Sequence, residues 1–165
     1  PIKDYYKRLG FSFAEEPFEI PGTEFIVEYN KRWKETKLQQ DTLPALEKIS
    51  SMNISQSMLS AQEQQQLNRF MDHFNLSKYF DNISGLNNHY ADGKLVSGKI
   101  LMDSLPLQND EVLLIGDTDH DFEVAENMGV NCILVHRNHQ LKSKLEKTGA
   151  PVFETLNEII NVINT

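Results

Sequence analysis

Residues 112–135, VLLIGDTDHDFEVAENMGVNCILV, decide how the chain is read. Val112 to Ile115 form an unbroken apolar run, the pattern of a strand buried on both faces of a parallel sheet. Gly116 then lets the backbone turn tightly. Asp117, Asp119 and Asp121 set three carboxylates just past the strand's carboxyl end, where open α/β sheets bind ligands. Phe122 to Met128 predicts a helix with Val124 and Ala125 turned inward and Gly129 as its cap, and Cys132–Val135 reads as the next strand.

Clustered carboxylates repel one another unless a cation or a proton intervenes. Magnesium suits a sparse acidic loop, because it takes one or two carboxylates and completes its shell with waters and a substrate phosphate. The spacing excludes a calcium EF-hand, since Phe122 stands where glycine is required and Met128 where the bidentate glutamate belongs. An acidic helix start, favoured by capping and the helix dipole, is the competing account.

The 165 residues suffice for one core and a small appendage. A net charge of −8 with no basic run argues against nucleic acid or an anionic membrane as partner. No apolar run approaches the ~20 residues that span a bilayer, and PIKDYYKRLG lacks a signal-peptide core. The single cysteine, Cys132, reads as a small core hydrophobe in a reducing, cytoplasmic setting.

Residues 1–38 carry aromatics at 5, 6, 11, 13 and 18, then Phe25, Ile26, Tyr29 and Trp33 at helical spacing after a break at Pro21-Gly22. From Asp41 the pattern alternates: a helix through Leu43, Leu46 and Ile49, a strand over 54–59, and a helix through Leu67, Phe70, Met71 and Phe74. A strand over 80–86 and a helix over 95–105 follow. After the central unit come a helix at Leu141 and Leu145, the strand Val152-Phe153, and a helix through Leu156, Ile159, Ile160 and Ile163. This alternation predicts a doubly wound, largely parallel α/β sheet. Ser60 lies between a strand and a helix. There its hydroxyl and the following amides, beginning with Ala61, suit a phosphate, and Ser60 with Glu63 also spells a capping box.

GDTDHDFEVAENMG resembles the fourth motif of the haloacid dehalogenase superfamily, especially its phosphoglycolate-phosphatase-like branch. The resemblance implies magnesium-dependent phosphoryl transfer from a small phosphorylated metabolite through an aspartyl-phosphate. It assigns Asp117 and Asp121 to the metal, with Asp121 holding the loop or sharing the ion and Asp119 facing solvent. Ser60 matches the second motif. Lys94, in a His89-Tyr90-Ala91-x-x-Lys context, matches the third better than Lys99 does. The resemblance makes 1–38 the remnant of a helical cap and 39–165 a core lacking its first strand. Asp-x-Asp occurs only at 117–119 and 119–121, so the nucleophile motif is expected to be missing from this chain, the gap in the sheet to be filled by a separate amino-terminal segment, by a swapped or rearranged strand or by an altered strand order, and the chain alone to be inactive. A non-catalytic binding or interaction protein of the same fold is the alternative. A receiver-like domain shares the acidic pocket but not the motif order.

Overall fold

The structure, a computed structural model, describes residues 6–86 and 93–163. Tyr5 and the His89-Tyr90-Ala91 context fall outside the described residues. The chain divides into two compact units, Pro1–Leu38 and Gln39–Thr165.

In the first unit, Tyr6, Phe11, Phe13 and Phe18 pack edge to face with ring centroids 5.0–5.8 Å apart. Helix α1, Glu19–Arg32, runs straight through Pro21 and Gly22, where the sequence predicts a break. Pro21 sits in the first turn, where a missing N–H breaks no intrahelical bond. The Gly22 N–H donates to the Phe18 carbonyl at 2.9 Å, and the Phe18 ring lies over the space a side chain at Gly22 would need. Phe25 and Tyr29, one turn apart, stack at 6.1 Å. Ile20, Phe25, Ile26 and Val27 remain 43–49% exposed, so this helix leaves apolar surface uncovered.

The second unit alternates as its sequence predicts. Helix α2 (Thr42–Ser51) leads to β1 (Ser57–Glu63), α3 (Gln64–His73), β2 (Asn82–Leu86) and α4 (Gly93–Ser104). Strand β3 (Leu113–Gly116), α5 (Asp119–Met128), β4 (Asn131–Val135), α6 (Lys142–Glu146), β5 (Val152–Phe153) and α7 (Leu156–Ile163) follow. Every strand pairing is parallel. Helix α7 covers one face of the second sheet, where Ile159 packs on Ile133 and Val135 with Leu113, Ile115 and Phe153 around them. Strand alternation turns Leu134, fully buried, to the opposite face. Helix α5, which packs on β3 and β4, buries Val124 and Ala125.

The sheet comes in two pieces, β1-β2 and β3-β4-β5. Among the described strands, β1 pairs only with β2 and β3 only with β4, which leaves each with an unpaired edge. Val112 to Ile115, expected to be a strand buried on both faces, are only half-buried, and the strand itself spans Leu113–Gly116; a strand flanked on one side lacks the side-chain cover of a second neighbour. Helix α4 bridges the pieces. A Cβ added to Gly98 would stand 3.1 Å from Leu59 Cδ2 of β1 and 2.6 Å from Met128 Sδ of α5.

Candidate functional site

The turn after β3 is built inward around one carboxylate. Asp121 is 4% exposed, and its Oδ2 accepts three hydrogens: from the Asp117 N–H at 3.0 Å, the Thr118 N–H at 3.0 Å and the Thr118 hydroxyl at 2.7 Å. Thr118 also caps α5, its hydroxyl accepting the Asp121 N–H at 3.3 Å. A side chain at Gly116 would fall on Asp121 Cβ and Cγ, so only glycine lets the strand end lie this close. The helix therefore starts at Asp119, three residues before the apolar run predicts, because Thr118-x-x-Asp121 is the working capping box.

Lys94, at the start of α4, donates to Asp121 Oδ1, with side chains 14% and 6% exposed. Burial would push the Asp121 carboxyl up. The Lys94 charge and hydrogen bond, the Thr118 hydroxyl and the Asp117 N–H outweigh it and hold the pKa below its ordinary value. Lys99, one turn further along, is exposed. Asp117 behaves oppositely. Burial and the neighbouring Asp121 charge raise its pKa, against the pull of His139 and Lys94. Its carboxylate is 37% exposed, and His139 Nε2 stands 3.7 Å from Oδ2. Asp119, expected to face solvent, is engaged with Gln140 at 2.7 Å and Lys144 at 2.6 Å. Against the opposing effect of burial, these two hold its pKa down.

Lys94, Asp117 and Asp121 thus come together, whereas Ser60 bonds within its own strand. Strand β1 extends to Glu63, α3 begins at Gln64, and no side-chain cap bond forms there, so the predicted Ser60–Glu63 capping box is absent. The ladder register slips between Leu59 and Glu63, which bulges residues 60–62 away from regular pairing. Within the bulge, Ser60 Oγ accepts the Gln62 N–H at 3.1 Å. Gly85 makes room, since a Cβ there would stand 2.8 Å from the Gln62 carbonyl, and its N–H donates to Gln64 Oε1 at 2.6 Å. Cys132 is half-buried; burial and the Asp121 charge push its thiol up to about 11, which keeps it protonated and inert.

The donor set suits magnesium better than an all-protein cage. One half-exposed carboxylate, Asp117, carries a charge its surroundings disfavour, while Asp121 is already engaged on both oxygens. Among the described residues no three His, Cys, Asp or Glu side chains are gathered in ligand geometry. Sequence reading missed Thr118, His139, Gln140 and Lys144. The Thr-x-x-Asp spacing could have shown the first; nothing local marks the others.

A family model described as haloacid dehalogenase-like hydrolase matches residues 1–135. Among solved structures, a predicted phosphatase from Clostridium acetobutylicum superposes with a TM-score of 0.76 at 20% identity, over 98% of this chain and 75% of that one. A haloacid dehalogenase-like family hydrolase from Streptococcus pneumoniae gives 0.76 at 16% identity, over 92% and 74%. Protein tyrosine kinase A of Mycobacterium tuberculosis gives 0.79 at 19% identity, over 100% and 77%. At these identities the likeness concerns the fold. No curated protein sequence matches. No helix among the described residues is long and apolar enough to cross a membrane.

Proposed function

Since this chain belongs to the haloacid dehalogenase-like hydrolase family, we propose that it works in a magnesium-dependent phosphate-monoester hydrolase acting on a small phosphorylated metabolite. The observation that carries this reading is the meeting of Lys94, Asp117 and Asp121 at the carboxyl end of β3. Asp121 fixes the turn and holds the lysine. Lys94 offers its remaining ammonium donors and its charge to an anion at the strand ends. Asp117 is the carboxylate that would hold magnesium, and the ion, when bound, would act as a Lewis acid on the phosphoryl oxygens. In this proposal Ser60, within β1, presents its hydroxyl to the same anion.

The attacking carboxylate belongs, in this proposal, to a strand that is not among these 165 residues. The unpaired edges of β1 and β3 support it: an extended segment running parallel to both would unite the two sheets and satisfy their backbone groups. A second reading, a non-catalytic binding protein of this fold, is favoured by the lack of any Asp-x-Asp-x-Thr in the 165 residues.

Calorimetric titration of the purified chain with Mg2+, followed by an aryl-phosphate assay with and without a synthetic Asp-x-Asp-x-Thr strand peptide, separates the readings. We expect Mg2+ binding that Asp117→Asn strongly weakens, and turnover only with the peptide. Turnover by the chain alone, abolished by Asp117→Asn, overturns the assignment of the nucleophile to another strand. Binding without turnover in the peptide's presence favours the non-catalytic reading.

A further inference from the structure

The chain leaving β4 is tied down at His136, Arg137 and Gln140 before α6, and at Lys142, its first residue. Arg137 Nη2 donates to both oxygens of Asp41 at 2.9 and 2.8 Å, and the same Asp41 receives the Leu156 N–H at 2.8 Å. His136 Nδ1 and Lys142 Nζ meet Glu154 at 3.2 and 2.5 Å. Gln140 then grips Asp119 twice: its Oε1 accepts the Asp119 N–H at 3.1 Å and its Nε2 donates to Asp119 Oδ1 at 2.7 Å. Between these anchors Asn138 takes a left-handed turn, φ 61°, and the next residue, His139, stands 3.7 Å from Asp117 while 67% exposed.

We infer that Gln140 and Asp119 form a positioning pair for the acidic turn, holding the backbone that carries Asp117 and bringing His139 up to it. The Asp119 N–H lies in the first turn of α5, where no intrahelical acceptor exists, and Gln140 supplies one from 21 residues away. Because the same carboxamide also donates to the Asp119 side chain, its two bonds fix the turn against the arm that bears His139. This deepens the reading of Asp117 as a metal ligand and rests on that reading only for the metal-binding measurement. Partners that orient a ligating carboxylate without touching the ion commonly govern affinity by about 10- to 100-fold.

The test is a donor–acceptor swap in the full 165-residue chain. Gln140→Glu sets two carboxylates against each other and, with Gln140→Ala as a milder variant, should speed hydrogen exchange at the Asp119 amide by about ten-fold. Both variants should lose the nuclear Overhauser contact between the His139 ring and Asp117 Hβ at fixed pH, and weaken Mg2+ affinity by about ten-fold. Asp119→Asn with Gln140→Glu restores both bonds, the backbone N–H of residue 119 still donating to the residue-140 side chain and only the side-chain bond exchanging donor and acceptor, and should return all three measurements to within about two-fold of the original. Asp119→Asn alone keeps the grip and should change little. Unchanged amide exchange and His139 contact in Gln140→Glu and Gln140→Ala overturn the inference, as does a double variant that regains the original unfolding temperature without regaining them. If the original chain binds no Mg2+, the metal reading fails alone, and exchange and the His139 contact still decide this one.

Discussion

The ends of β3 and β1 carry the two stretches with the plainest chemical promise, and they are built in opposite ways. After β3 the chain folds inward: Asp121 draws the Asp117 and Thr118 amides, the Thr118 hydroxyl and Lys94 onto one buried carboxylate. At the end of β1 the ladder register slips, and Ser60 Oγ accepts the Gln62 N–H two residues along the same strand. The difference teaches that a rigid turn comes from a buried charge that must be fully paired, whereas a neutral hydroxyl can be left to local bonding without penalty.

The contrast breaks first at Asp121. Asp121→Ala leaves Lys94 buried without its partner and three donors unmet, and should cost about 3–5 kcal/mol in denaturant unfolding. A loss below about 1 kcal/mol would mean that the turn does not depend on this carboxylate. Gly116→Ala comes next: its methyl group overlaps Asp121, so we expect about 1–3 kcal/mol, with Lys94 displaced in a crystal structure of the variant.

Acid sharpens the comparison within the turn itself. The Asp121 pKa lies below its ordinary 3.8, so the stability it contributes is present above that value and is lost as pH falls through the folded-state pKa. Asp117 has a raised pKa, so its ionisation works against folding as pH rises through that pKa. Thermal unfolding followed from pH 7 to pH 3 should therefore show a shallower acid loss in Asp121→Asn. Asp117→Asn should keep or raise the midpoint at pH 7, and that advantage should vanish in acid. A lower midpoint for Asp117→Asn at pH 7 would show that its charge is better compensated than the geometry indicates.

The smallest effect belongs to β1. Ser60→Ala removes one hydrogen bond of a half-buried loop and should cost at most about 1 kcal/mol by chemical denaturation. Calorimetry with inorganic phosphate makes the comparison functional: Lys94→Met should weaken binding more than Ser60→Ala. The reverse ranking would move the anion site to the bulge.

The sequence by itself determined whatever is written within a few residues. Apolar periodicity marked the strands and helices of the second unit, Gly129 its left-handed cap at φ 71°, and the Asp117-to-Asp121 spacing the acidic turn. Those signals are legible because helix capping and strand alternation act between neighbours along the chain. Local rules also misled where two could compete: Pro21-Gly22 reads as a break but lies in a first helical turn, and Ser60–Glu63 spells a capping box that forms instead at Thr118–Asp121. The motif context already favours Lys94 over Lys99, but only the tertiary structure decided that Lys94 pairs with Asp121, that Gln140 and Lys144 hold Asp119, and that β3 is half-buried at an edge unpaired among the described strands. Those contacts join residues some 20 to 30 positions apart. Which of several polar side chains meets a given carboxylate depends on how helices pack over strands, because burial removes the water that would otherwise satisfy each of them alone.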